Sequence, residues 1–171
     1  MVWILGSLFH LRHLVWSRRL FRHFFTSPTR YYYYYYTLGL IAAGEDPDSP
    51  AIQRAVHFLL SKQNENGGWG ETYLACVNKD YPEDGAGELG DDQSGIVQTA
   101  WALLALMAAE CEDREAIDDG IAYLMSKQLP SGDWPQGPIT GVFNRSCGIT
   151  YTAYRNVFPI WALGRYANKY N

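Results

Sequence analysis

A chain of 171 residues is long enough to form one domain with its own core, and an apolar fraction of 47% excludes a disordered polypeptide. The net charge of −4 hides an asymmetry: residues 1–44 carry five Arg and no acid, while 18 acids face nine bases from Glu45 onward. Nucleic-acid binding is disfavoured, because the body is acidic and the basic head is also strongly apolar.

The head, MVWILGSLFHLRHLVWSRRLFRHFF, is too interrupted by Arg and His for a spanning helix, which needs about 20 nearly uninterrupted apolar residues. Acid-free, Arg-rich heads occur in transit peptides and in interfacial membrane helices. The run Tyr31 to Tyr36 has no core-forming pattern. Residues 1–37 are therefore expected to be an atypical head outside the fold, residues 1–36 to make few contacts with the rest even if locally helical, and residues 38–171 to be the folded body.

An apolar helix is predicted over 38–46. Asp48-Ser49-Pro50 then supplies a cap and a Pro for the first turn of an amphipathic helix over 51–62. In that helix Ile52, Ala55, Val56, Leu59 and Leu60 share one face. A Gly/Asn-rich loop holding Trp69 follows, then a long polar loop from Asn78 to Gly95, where Asp91 or Asp92 is expected to cap the next helix. That helix, over 96–109, is apolar nearly all round, as a buried inner helix should be. A further helix is predicted over 115–127, and a last one over about 149–168 that Pro159 should kink or split.

Two stretches read almost as copies. AVHFLLSKQNENGGWGE (Ala55 to Glu71) and GIAYLMSKQLPSGDWPQ (Gly120 to Gln136) align without a gap at an offset of 65. They share Leu59/Leu124, Ser61/Ser126, Lys62/Lys127, Gln63/Gln128, Gly67/Gly132 and Trp69/Trp134. The offset extends upstream, since Leu38/Leu103, Ala43/Ala108 and Glu45/Glu110 also match. Each unit is an inner helix, an acidic loop, an outer helix and a Trp loop. Such hairpins cannot bury both faces alone and need neighbours. The expected fold is all-α, a partial α/α barrel of repeated hairpins. Gln63 and Gln128 can bond carbonyls left open at helix ends, with Trp69 and Trp134 covering the amide, so the pairs are expected to clasp neighbouring hairpins.

Cys76, Cys111 and Cys147 are odd in number, scattered, and contain no C-x-x-C pair. That favours buried thiols in a reducing compartment over a disulfide framework. All four His lie at or before His57, away from any cluster with ligand spacing, so neither a metal site nor a cofactor is expected.

The two Gln–Trp stretches resemble the QW motifs of triterpene cyclases. The segment GVFNRSCGITYTAYRNVFPIWALGRY (Gly141 to Tyr166) resembles the C-terminal signature of oxidosqualene cyclases, the lanosterol and cycloartenol synthase group. The resemblance covers roughly residues 38–171. It implies a two-barrel α/α fold around an apolar cavity, with 2,3-oxidosqualene as substrate. It also implies monotopic attachment to the endoplasmic reticulum membrane or lipid droplets. Phe143 and Tyr151 fall where the family lines its cavity with aromatic rings. A π face stabilises a carbocation without offering a base, worth about 0.5–2 kcal/mol per contact when desolvated.

The departures are equally informative. The family's acid lies in an Asp-Cys-Thr-Ala-Glu motif, or Asp-x-Asp-Asp in squalene–hopene cyclases, and neither pattern occurs here. No residue is assigned as the catalytic acid. The stretch before position 38 also fails to continue the family pattern. The expectation is a C-terminal part of an oxidosqualene cyclase, inactive alone; the alternative is a non-enzymatic, membrane-associated helical module derived from the fold. A protein prenyltransferase β-subunit would need a His zinc ligand, and none follows His57.

Overall fold

A computed structural model describes residues 31–71, 94–137, 139, 142–143, 147–148 and 150–170. The described residues form five helices: α1 (Tyr31–Ala42), α2 (Pro50–Leu60), α3 (Ile96–Ala108), α4 (Arg114–Ser126) and α5 (Tyr154–Tyr170). A two-residue antiparallel ladder, β1 (Val142–Phe143) with β2 (Cys147–Gly148), pairs Phe143 with Cys147. The architecture is all-α.

The centre of the packing is α3. It touches α1, α2, α4 and α5, while α2 also packs on α1 and α4 on α5. From Thr99 to Ala108 every residue of α3 is buried. Leu103, Leu104, Ala105 and Leu106 are 0% exposed. Burying a Leu side chain fully contributes about 1.5–3 kcal/mol, so a helix apolar on all sides is stable only when enclosed on all sides. The outer helices are half apolar. In α2 the inward set is Ile52, Ala55, Val56 and Leu59, and in α4 it is Ala116, Ile117, Gly120, Ile121, Tyr123 and Leu124.

Helix starts follow the local chemistry. Ser49 caps α2, its hydroxyl accepting from the Ile52 amide, and Pro50 fills the first turn. Asp113 caps α4 through the Ala116 amide at 3.0 Å. The cap of α3 is Gly95, not Asp91 or Asp92, because the helix opens at Ile96 and the Gly95 amide is spent on the Trp69 carbonyl. Pro159 does not split α5, which runs unbroken from Tyr154 to Tyr170. That helix starts at Tyr154, later than the expected position of about 149.

The first helix begins seven residues before the expected position 38 and takes in the whole tyrosine run. Tyr34 is 6% exposed and stacks on Trp101 with ring centroids 4.6 Å apart. Thr37 is also buried. The expectation that residues up to 36 stay away from the fold is corrected at Tyr34: a helical register turns one tyrosine of the run inward. The boundary expected at 37/38 cuts through α1. Residues 1–30 and most of the polar loop 78–95 lie outside the described residues.

A polar latch joins α4 to α5. Arg114 donates through Nε to Asp118 Oδ1 at 2.6 Å and through Nη2 to the Tyr166 hydroxyl at 2.7 Å, and that hydroxyl donates to Asp118 at 2.7 Å. The guanidinium also lies 4.0 Å from the Tyr170 ring centroid. The Arg114 hydrogen bond, then that of Tyr166, hold the Asp118 carboxyl below its ordinary value of 3.8. A carboxyl depressed by folding contributes stability above its unfolded pKa and loses it as pH falls through the folded value. Arg114 stays protonated throughout, so the carboxylate alone sets the window. Chemical denaturation from pH 7 to pH 2 should therefore show an acid limb below about pH 4 that flattens in Asp118→Asn. An unchanged slope in that variant would remove the latch from the acid response.

Candidate functional site

The first Gln–Trp loop closes between three helices. Gln63, just past the end of α2, donates its amide to the carbonyls of Gly67 and Ala116, each at 2.8 Å. One acceptor is in its own loop and the other is in the first turn of α4. The Trp69 indole donates to Leu59 O in the last turn of α2 at 2.8 Å. The Trp69 backbone exchanges bonds with the Thr99 hydroxyl, which accepts from Trp69 N at 2.9 Å and donates to Trp69 O at 3.2 Å. Gly67 has φ +82° and lies against the backbone of Asp119 in α4; a Cβ there would meet Asp119 O at 2.6 Å. Gly120 leaves room for both the Trp69 ring and Leu103. The loop is thus seated on α4 and pinned to α3.

The second loop repeats the internal geometry. The Trp134 indole donates to Leu124 O at 2.8 Å, Gln128 donates to Gly132 O at 2.9 Å, and Gly132 has φ +85°. Trp134 is 1% exposed. The outer contact differs: a Cβ on Gly132 would meet nothing within 4 Å, and Gln128 is exposed. This loop is held from the α5 side, where Arg155 Nη1 donates to Asp133 Oδ2 at 2.7 Å and to the Trp134 carbonyl.

An aromatic row runs across α1, α3 and α5. Trp101 stacks on Tyr34 and receives Tyr154 and Phe158 edge-on, with centroids 6.1 and 5.2 Å away. Tyr151, half exposed at 55%, stacks on Tyr154 at 4.9 Å. Phe158 stacks on Trp161. Tyr151 is therefore the outer end of a row rather than an isolated ring. The Phe143 backbone lies in β1, and its side chain, like Asn144 and Arg145, lies outside the described residues.

Three contributors were not singled out from the sequence. Thr99 reads as a helix-interior Thr, Asp133 as a loop acid, and Glu71, which is buried, as the end of a motif. Thr99 and Asp133 acquire their roles from partners 30 and 22 positions away along the chain. Glu71 borders a cavity of about 50 Å³ lined with Tyr34, Phe58, Lys62, Trp69 and Gln98. Ligand pockets typically run to about 300–1,000 Å³, so this void is no substrate site. Burial pushes the half-buried Cys111 thiol up, which opposes thiolate chemistry. Among the described residues no group of three His, Cys, Asp or Glu is placed to hold a metal ion.

Comparison with known proteins adds to this geometry. The family model for the squalene-hopene cyclase C-terminal domain matches residues 29–168. The chain is 50% identical over 119 residues to lanosterol synthase of Homo sapiens, covering 70% of this chain and 15% of that protein. It is 48% identical over 132 residues to cycloartenol synthase of Dictyostelium discoideum, covering 77% and 18%. It is 40% identical over 142 residues to alpha-onocerin synthase of Lycopodium clavatum, covering 81% and 18%. The chain thus spans well under a third of the length of these relatives.

The two glycines give a controlled comparison. Ala at either position incurs the left-handed backbone cost of about 1 kcal/mol. Only Gly67→Ala also drives a Cβ into Asp119, which should add about 1–3 kcal/mol. Urea unfolding of both variants measures the difference; equal losses would mean that the Gly67–Asp119 approach relaxes freely.

Proposed function

The chain belongs to the squalene-hopene cyclase C-terminal domain family, and from that premise we propose that it is a C-terminal segment of an oxidosqualene cyclase, the class that converts 2,3-oxidosqualene to lanosterol or a related cyclic triterpene. The observation that carries this reading is the 40–50% identity to lanosterol, cycloartenol and onocerin synthases over 70–81% of this chain. In this reading α1, α3 and α5 are inner helices of an α/α barrel, and α2 and α4 are outer ones. The Gln63–Trp69 and Gln128–Trp134 loops are its QW clasps, fastening outer helices to their neighbours.

Tyr151 and Phe143 are assigned to the cavity wall. Cyclisation of an epoxide begins with proton donation by a buried acid and continues through carbocations that water would quench. Tyr151 offers a π face backed by Tyr154 and Trp101, and such a face stabilises positive charge without accepting a proton. The chain carries neither of the family's acid motifs, so it is inactive alone. An apolar substrate would be delivered from lipid, and the endoplasmic reticulum or lipid-droplet surface is the proposed location. Among the described residues no helix is long and apolar enough to cross a membrane.

Two assays test this. Purified chain incubated in detergent with 2,3-oxidosqualene should give no cyclic alcohol; any enzyme-dependent tetracyclic or pentacyclic product would reveal an acid in this sequence. Residues 29–168, the span of the family match, should replace the matching segment of a complete lanosterol synthase with activity retained. In that chimera Phe143→Ala should release altered or prematurely terminated products. A folded chimera with no activity would overturn the cyclase assignment, and normal product from Phe143→Ala would reduce that ring to packing.

A further inference from the structure

The second Gln–Trp loop is not a plain copy of the first. At the offset of 65, Asp133 stands where the first loop has Gly68, so the ion pair that joins this loop to α5 is no part of the repeat. Its carboxylate is held on both oxygens: Oδ1 accepts from the Trp134 amide and Oδ2 from Arg155 Nη1, each at 2.7 Å. The loop around it is closed by Leu129 N on Asp133 O and Gly132 N on Leu129 O, each at 2.8 Å, and by the Trp134 indole on α4. Arg155 Nη1 also donates to the Trp134 carbonyl. The Arg155 and Asp133 side chains are 23% and 33% exposed, and a charge-assisted bond withdrawn from water holds its geometry better than one at the surface.

What the pair fixes is the first turn of α5. Arg155 is the second residue of that helix, and Tyr154, the first, carries a ring of the aromatic row. Consecutive residues of a helix diverge by about 100°, so one turn holds a guanidinium on the loop side and a ring on the row side. Tyr151 is tied to the same turn. Its carbonyl accepts from Tyr154 N at 3.0 Å, and its ring stacks on Tyr154 with 15° between the planes. The polar fastening of α5 at Tyr166 lies about 16 Å further along the axis, too far away to fix the tilt of this turn.

We infer that Arg155 is a positioning residue for the cyclisation: through Tyr154 it sets the place of the Tyr151 ring, and with it the choice among carbocation fates. It touches no substrate. Its lever is the outer loop, because Arg155 ties the ring pair to the Asp133 carboxylate and the Trp134 carbonyl rather than to another inner helix. A ring stabilises a cation only within about 6 Å of its centroid, so a small sway of the first turn changes which cation is favoured. Removing the guanidinium leaves α5 packed on α3 through Ala162 and Phe158 but frees that turn. The inference rests on the assignment of Tyr151 to the cavity wall proposed above.

The test has two arms. In the full 171-residue chain, fluorotyrosine at position 151 reports the stacking through its fluorine resonance. Arg155→Met should move that resonance towards the position of the free amino acid. Arg155→Lys, which keeps a charge facing Asp133 but not the planar fork, should move it less. Tyr166→Phe, which loosens the same helix at its far end, should leave it in place. In the lanosterol synthase chimera, Arg155→Met should raise altered or prematurely terminated products about 2- to 30-fold relative to the main one, the range that one ring contact with a cation supports. KM for oxidosqualene should change little, because the rings act on the cation and not on the bound substrate. Tyr166→Phe should keep the product ratio. Circular dichroism confirms folding, and where Arg155→Met does not fold the same outcomes are read on Arg155→Lys. A resonance unmoved by Arg155→Met, an equal shift in Tyr166→Phe, or an active Arg155→Met chimera with an unchanged product ratio would each overturn the inference. A folded chimera inactive before any substitution removes the cyclase assignment and the cyclisation role with it, while the fluorine arm still decides whether Arg155 holds the ring.

Discussion

A helix without a polar face dictates what surrounds it. In α3 only Val97 and Gln98 escape burial, so the helix cannot lie at a surface and must be covered from every side. The four other helices provide that cover. Their own patterning is subordinate to it: α2 and α4 need one apolar face each, whereas α5 presents Ala162 and Pro159 inward and leaves Val157, Ile160 and Trp161 exposed. The hairpin repeat is the economical way to satisfy this constraint, since each unit delivers one inner helix together with the outer helix that shields it.

The Gln–Trp loops show which contacts a local sequence fixes and which a neighbour supplies. Both loops form the same indole bond to the carbonyl ten residues back, the same Gln bond across the turn, and the same left-handed glycine. These features lie within about ten residues and follow from the shared Leu, Gln, Gly and Trp. The outward bonds differ. Gln63 reaches Ala116, fifty-three residues away, and Thr99 secures the Trp69 backbone, while the second loop is secured by Arg155 and Asp133 instead. A half-buried Gln amide with two acceptors resists opening more than an exposed one with a single acceptor, because breaking it strands carbonyls away from water.

The same division explains what was legible in the sequence. Four helices could be read to within a few residues at most boundaries, because a period of 3.6 residues, Ser-Pro caps and left-handed glycines are local signals. The start of α1 was not legible. Six consecutive tyrosines carry no periodicity, and only the stacking of Tyr34 on Trp101 decides which of them turns inward. The β1–β2 ladder was missed for a similar reason, being two residues long and set beside a helix start. Thr99 and Asp133 are polar residues whose partners Trp69 and Arg155 are 30 and 22 positions away, beyond the reach of any pattern. Tyr151 could be placed from its motif, but its support by Tyr154 and Trp101 required the packing of α5 on α3.

Polar fastening is concentrated at the helix ends and on the α4–α5 flank in this chain, although Thr99, Arg155 and Tyr166 bring part of it onto α3 and α5. Hydrogen-bonded loops sit at the ends of α2 and α4, and the Arg114 latch lies on the flank where α4 meets α5. The aromatic row belongs to α1, α3 and α5. The separation has a physical consequence for the chemistry proposed here. An aromatic face is most useful to a carbocation where no water or carboxylate lies within reach, since either would take a proton or add to the cation and end the reaction. Helices fastened through their outer ends need no polar group on the inner surface. A ring change at Phe158, whose side chain has no polar atom, can therefore alter the aromatic row with little effect on Arg155 and Tyr166, the α5 side chains whose bonds hold the hairpins together.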